Sequence, residues 1–251
     1  MGCNAHYRIG EQMRLALSLS DIQAAKERGE LKPALCHICT RYDLSHITFL
    51  VVRTGFNSTR YPFYCTTYPA AWSEAYLTRN LFEIDPVIDI VRTGHLPVDW
   101  SSLDQKSAQV RHFFEEARSH GIGPNGLTIP VRGAHGERGL FSVASDLSKR
   151  DWLSLCASST HDLHILSHYL HETVLAVTGL RRAARYKELS RRERQCLQLL
   201  AAGKIHKQIA AALGISESSV RLYLRSARNK LGASTSHHAV ARASFLELIN
   251  L

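Results

Sequence analysis

Between Lys207 and Val220 the chain reads Lys-Gln-Ile-Ala-Ala-Ala-Leu-Gly-Ile-Ser-Glu-Ser-Ser-Val, and little else in the sequence leaves so few folding options. Ile209, Ala210 and Leu213 recur at helical spacing and give a short helix one apolar face. Gly214 ends that helix, because glycine enters the left-handed region without a Cβ penalty. Ile215 plugs the corner, Ser216 caps a second helix, and Val220 packs the second helix onto the first. Two such short helices bury too little by themselves, and the flanking sequence supplies the rest. Ser190-Arg-Arg-Glu193 is a capping box that opens a helix running to Ala202 and stopping at Gly203. The two central helices cover Ile205–Leu213 and the stretch from Ser216 to Leu231, which Gly232 stops. A last helix covers about Thr235–Leu248. The C-terminal part therefore reads as an all-α, four-helix domain built around a helix-turn-helix.

Charge assigns that domain a partner. Of the 31 Lys and Arg, 14 lie between Leu180 and Leu251, against 4 of the 22 Asp and Glu. The remainder of the chain holds 17 basic and 18 acidic residues and is nearly neutral. A basic helix-turn-helix beside a neutral domain points to double-stranded DNA. The face opposite Val220 and Leu224 carries Ser218, Arg221, Arg225 and Arg228. Arg221 and Arg225 are one turn apart, and arginine matches the O6/N7 pair of guanine in the major groove. Lys204, Lys207, Arg228 and Lys230 are expected at phosphates. The competing reading is a helical hairpin with a solvated basic face; cap, glycine turn and plug together weigh against it.

The N-terminal part alternates helical and extended segments. Glu11–Arg28 and Leu31–Tyr42 read as helices, and His46–Val52 as a buried strand. Phe63–Thr67 can pair with that strand across the turn Gly55–Tyr61. Pro69 opens a helix to about Arg79, and Ser107–His120 is another helix, ended by Gly121. Leu127–Arg132 and Gly139–Ser145 form a hairpin around Gly133–Glu137, and Ser148 caps a long helix to about Val177. The overall class is α+β: an N-terminal α/β/α sandwich over 1–176, a linker over 177–187 with the basic run Arg181, Arg182, Arg185 and Lys187, and the helical domain over 188–251.

The stretch Leu189-Ser-Arg-Arg-Glu-Arg-Gln-Cys-Leu197, then Gly203-Lys204, Ile209-Ala210, Leu213-Gly-Ile-Ser216, Val220 and Lys230-Leu-Gly232 resembles the LuxR-type helix-turn-helix. The resemblance gives Glu193, Leu197 and Gly203 structural roles and places base contacts at Arg221, Leu222 and Arg225. Tyr223 stands where histidine is common, His237 where arginine is common, and Ile205-His206 where a small polar pair is usual. The N-terminal part is similar to the autoinducer-binding domain of the acyl-homoserine-lactone receptors. The matching residues are Tyr68-Pro-Ala-Ala-Trp72, Tyr76, Asp85-Pro86, Pro97, Trp100, Phe113 to Arg118, Gly126-Leu-Thr-Ile-Pro130 and Gly139-Leu-Phe-Ser142. The loop Gly121–Gly126 is one residue longer than usual.

These resemblances imply a quorum-sensing transcriptional regulator that binds an N-acyl or aryl homoserine lactone as a small-molecule ligand, with no cofactor. It would bind a palindromic site as a cytoplasmic homodimer, with RNA polymerase as a further partner and no membrane association. Asp85 would accept the ligand's amide N–H and Trp72 would donate to the ring carbonyl. Tyr68 and Ser142 would donate to the acyl carbonyl, and Tyr76 and Trp100 would wall the pocket. Two other readings stay open: a regulator of the same DNA-binding class that senses another metabolite or none, and an enzyme with a DNA-binding tail. In a bland reading of the sensor residues, the aromatics are ordinary core and Asp85 only caps the helix opened by Pro86.

Other features carry less. The six cysteines are dispersed along a long chain and do not form a disulfide framework. Cys36-His-Ile-Cys39 lacks the second ligand pair of a zinc site. His161, His164, His168 and His171 share one helical stripe, read as solvent-facing or as an interface. No nucleophile elbow, phosphate loop, signal peptide or 18-residue apolar run is present, so the chain reads as a non-enzyme.

Overall fold

The computed structural model describes residues 3–53, 61–134, 136–180 and 187–249. The expected turn across 55–61 and most of the basic linker lie outside them. The chain divides into two compact units, the break falling after Leu180.

The first unit is built on one antiparallel sheet. In chain order its elements are α1 (Cys3–Ala24), α2 (Arg28–Tyr42), β1 (His46–Arg53), β2 (Phe63–Thr66), α3 (Ala70–Thr78), α4 (Pro86–Thr93), β3 (Val98–Asp99), α5 (Ala108–Ser119), β4 (Asn125–Arg132), β5 (Arg138–Ser145) and α6 (Lys149–Val177), with short 3-10 turns at Leu81–Glu83 and Trp100–Ser102. The strand order is β2-β1-β5-β4-β3, and every neighbouring pair is antiparallel. The β1/β2 pairing and the β4–β5 hairpin expected from sequence are both present.

Period-two alternation sends each strand's residues to opposite faces. Ile47, Phe49 and Val51 of β1, Ile129 of β4, and Phe141 and Val143 of β5 join α1, α2 and α6 in one core. Leu50, Leu140 and Ala144 join α3, α4 and α5 in a second. This is the α/β/α sandwich the alternation of segments implied.

Several helix boundaries differ from expectation; the first helix begins at Cys3, not Glu11. The first helix ends at Ala24 and the second starts at Arg28, not Leu31. The side chain of Glu30 accepts from the backbone N–H of Lys26 at 2.6 Å and of Glu27 at 3.4 Å, which fixes the helix start ahead of Pro33. The histidine stripe on α6 is also broken: His161 and His168 are exposed, whereas His171 is buried with its ring edge-on to Phe49.

Among the described residues the second unit holds four helices: α7 (Arg191–Ala201), α8 (His206–Leu213), α9 (Glu217–Lys230) and α10 (Ser236–Phe245). Gly214 is left-handed at φ 63°, as the turn between α8 and α9 requires. Cys196, Leu197, Ile209, Val220, Leu224, Ala227, Ala239 and Ala243 form its core.

Candidate functional site

The second sheet face carries a cavity of about 180 Å³ between the sheet and α3, α4 and α5. All six residues singled out from sequence line it: Tyr68, Trp72, Tyr76, Asp85, Trp100 and Ser142. Thr48, Leu50, Tyr64 and Leu140 line it as well, and sequence reasoning missed them. Alternation along β1 would have placed Thr48 and Leu50 opposite Phe49; the strand was read only as uniformly buried.

Register builds the polar floor of this cavity. Thr66 pairs with Thr48, Thr48 with Ser142, and Ser142 with Thr128, so four hydroxyls cross four strands in one row. Thr48 and Thr66 hydroxyl oxygens lie 2.5 Å apart, and those of Thr128 and Ser142 2.9 Å apart. The Trp100 indole N–H donates to Thr128 at 2.8 Å. With that lone pair occupied, the Thr128 hydrogen can pass to Ser142, which frees the Ser142 O–H for a guest. Gly126 makes the arrangement possible: a Cβ there would fall 2.2 Å from the Trp100 ring.

Asp85 is both helix cap and pocket carboxylate. Its Oδ1 accepts from the backbone N–H of Val87 at 2.8 Å, and its Oδ2 accepts from the Tyr76 hydroxyl at 2.6 Å. A carboxylate has about four acceptor positions, so capacity remains. Burial raises its pKa from 3.8 to about 6; the bonds from Tyr76 and Val87 oppose this without cancelling it. Burial likewise pushes the Tyr68 and Tyr76 phenols upward, so both stay protonated as donors. Trp72 is 2% exposed, and among the described residues no acceptor takes its indole N–H. The pocket thus offers an acceptor at Asp85 and donors at Trp72, Tyr68 and Ser142 within apolar walls.

The second unit surrounds its buried carboxylate with partners of its own. Glu193 is 4% exposed. Its Oε1 accepts from Ser226 at 2.6 Å, and its Oε2 accepts from Lys230 at 2.8 Å and the Ser190 N–H at 2.6 Å. Burial alone would raise its pKa; these bonds outweigh burial and hold it at about 2. Lys230, expected at a phosphate, also donates to the Glu188 carbonyl at 3.0 Å, a scaffold role sequence reasoning missed. Lys204, Lys207, Ser218, Arg221, Leu222 and Arg225 are exposed, and Arg228 is half-buried. Arg221 has a loose ion pair with Glu217 at 3.4 Å; the described residues give Arg225 no ion pair. At the start of α8, Ile205 stands at the N-cap, 62% exposed, with no side-chain oxygen to offer.

A partly enclosed pocket in a sandwich and a basic helix-turn-helix define a ligand-binding regulator of transcription. Residues 27–174 match the autoinducer binding domain, and residues 187–243 match the bacterial regulatory proteins of the luxR family. The chain belongs to the LuxR family of quorum-sensing transcriptional regulators. It is 40% identical over 220 residues to the transcriptional activator protein RaiR of Rhizobium etli, covering 87% of this chain and 88% of that one. It is 31% identical over 184 residues to VanR of Vibrio anguillarum, covering 73% and 75%. Escherichia coli SdiA shares the fold with a TM-score of 0.66, at 22% identity over 96% of this chain and 99% of that one. Among the described residues, no helix is long and apolar enough to cross a membrane, and no group of three His, Cys, Asp or Glu could hold a metal ion.

Proposed function

We propose that the autoinducer of this regulator is an N-acyl or aryl homoserine lactone. The observation that carries the reading is the Trp72 indole N–H, which has no acceptor among the described residues, in the same cavity as the partly used acceptor Asp85. A buried unpaired polar group costs about 1–3 kcal/mol, and a lactone's carbonyls and amide N–H would satisfy this set. Asp85 accepts the amide N–H, and Trp72 donates to the ring carbonyl. Tyr68 and Ser142 donate to the acyl carbonyl, while Tyr76 and Trp100 wall the guest. The relatives named as transcriptional activators support a ligand that is bound and released unchanged.

On the DNA side, Arg221, Leu222 and Arg225 read base edges, with Leu222 suited to a thymine methyl. Lys204, Lys207 and Arg228 meet phosphates. Two copies bind a palindromic site as a homodimer in the cytoplasm, where promoter DNA and RNA polymerase are available.

The test is thermal unfolding of the purified protein with a panel of acyl and aryl homoserine lactones. A concentration-dependent rise in midpoint, selective for some chains and lost in Asp85→Ala, supports the reading; saturation at 100 times Kd corresponds to about 2.7 kcal/mol. No rise with any lactone, in folded protein that still binds DNA, would refute it.

A further inference from the structure

The lactone reading gives Trp72 one task, to hold its indole N–H where a ring carbonyl can accept it. The indole meets three rings. Tyr76 stands edge-on with centroids 6.0 Å apart, Phe113 is tilted at 5.7 Å, and His120 is tilted at 5.3 Å. Tyr76 and Phe113 line the cavity together with Trp72, whereas His120 does not. His120 stands behind the wall and reaches a guest only through the indole.

The His120 ring is itself anchored. His120 is the C-cap of α5, where the last helical carbonyls have no partner further along the helix. Its Nδ1 lies 2.9 Å from the Glu116 carbonyl oxygen and 3.3 Å from the Ser119 hydroxyl. A carbonyl oxygen only accepts, so Nδ1 carries the hydrogen and this bond fixes the ring plane. The chain then turns at once. Gly121 is left-handed at φ 84°, and the Ile122 N–H returns to the Ala117 carbonyl at 3.1 Å. That turn puts Ile122 in the cavity wall and leaves His120 outside it. A second tie joins the same two helices, because Glu116 accepts from Arg79 at the C-cap of α3. Trp72 and Arg79 stand about two turns apart along α3, so α5 grips that helix at two points. A phenylalanine at 120 would also meet the indole, but with no bond to the Glu116 carbonyl to fix its plane.

We infer that His120 is a positioning residue for the ligand: anchored at Glu116, it holds the Trp72 indole in the orientation that presents its N–H to the ring carbonyl. It touches no ligand atom. Its contribution is therefore a preference for a ring that carries a carbonyl, not an affinity for the acyl or aryl chain. The assignment rests on the lactone reading and adds the residue that orients its ring donor.

The experiment takes the lactone that raises the unfolding midpoint most and the cyclopentylamide of the same acyl or aryl chain, whose ring has no carbonyl. Dissociation constants of both are measured for the full-length protein, His120→Ala, His120→Phe, Trp72→Phe and the His120→Ala/Trp72→Phe double variant. The wild type is expected to favour the lactone about tenfold, the worth of one hydrogen bond, and Trp72→Phe to bring that ratio close to one. Both His120 variants should lower the ratio to about threefold or less, and the double variant should fall no further than Trp72→Phe, since both residues act on one bond. Damage to the fold alone weakens the two ligands together and leaves the ratio unchanged. Should His120→Ala fail to fold, His120→Phe decides. The wild-type ratio retained in a folded His120 variant overturns the inference while leaving the lactone reading intact. Binding of no lactone by folded wild type, or the wild-type ratio retained in Trp72→Phe, overturns the Trp72 assignment and the inference with it.

Discussion

Asp85, half-buried, and Glu193, buried, are both carboxylates capping helix starts, yet their surroundings drive them in opposite directions. Glu193 receives bonds from Lys230, Ser226 and Ser190 and is held at a pKa of about 2. Among the described residues Asp85 receives two bonds and no cation, and burial lifts it to about 6. Glu193 ties α7 to Ser226 and Lys230 of α9, so the recognition helix is fixed against α7 before DNA arrives. The sensor unit keeps an acceptor and several donors underused, and a ligand can supply what is missing. One carboxylate ties a scaffold together and the other lines a cavity.

The largest effect expected from this contrast comes from removing the scaffold carboxylate. Glu193→Ala would strand Lys230, 27% exposed in the ion pair, and leave Ser226 and the Ser190 N–H without an acceptor. A loss of about 3 kcal/mol in urea unfolding is expected, with DNA binding lost alongside. A loss under 1 kcal/mol would show that the network is not structural.

Next comes Arg225→Ala, which should cost about 1–3 kcal/mol at the cognate operator and relax base choice there. Fluorescence anisotropy on cognate and random duplexes separates the cases, since equal losses on both would assign Arg225 to phosphate.

The pH profiles of stability should also oppose one another. The folded pKa of Asp85 lies above its unfolded 3.8, so its contribution is full below that value and is lost as pH rises through about 6. Glu193 contributes fully above its unfolded 4.5, and that contribution is lost as pH falls toward 2. Urea titrations of the unliganded protein from pH 4 to 7 should lose the Asp85→Asn difference at the acid end.

The smallest effect is a gain. Ile205→Ser supplies the missing cap of α8 and should stabilise the protein by about 0.5–1 kcal/mol. An unchanged urea midpoint would mean that this helix end is satisfied by solvent.

Much of this was legible in the sequence, unevenly. Ser190, Glu193, Gly214 and Ser216 act locally, through caps and turns within a few residues, so the helical unit could be read without tertiary information. The pocket residues Tyr68, Trp72, Tyr76, Asp85, Trp100 and Ser142 were reachable through resemblance because their order along the chain is distinctive. Thr48, Thr128 and Tyr64 were not, since their meaning comes from cross-strand register, which pairs residues up to 94 positions apart (Thr48 with Ser142). Lys230 was assigned to phosphate because its charge shows in the sequence, whereas its bond to Glu193, 37 positions away, does not. The bland reading of Asp85 as a cap holds for its first oxygen, while its second accepts from Tyr76 at the cavity wall.

The most direct test of the central claim is the pH dependence of lactone affinity for wild type and Asp85→Asn between pH 5 and 7.5. A donor amide favours the ionised carboxylate, so with a pKa near 6 wild-type affinity should rise about tenfold from pH 5 to 7 and then level off. The Asp85→Asn protein should bind more weakly at pH 7 and show no such rise. A flat wild-type profile, or the same rise in Asp85→Asn, would contradict the claim that Asp85 is the acceptor held open for the ligand.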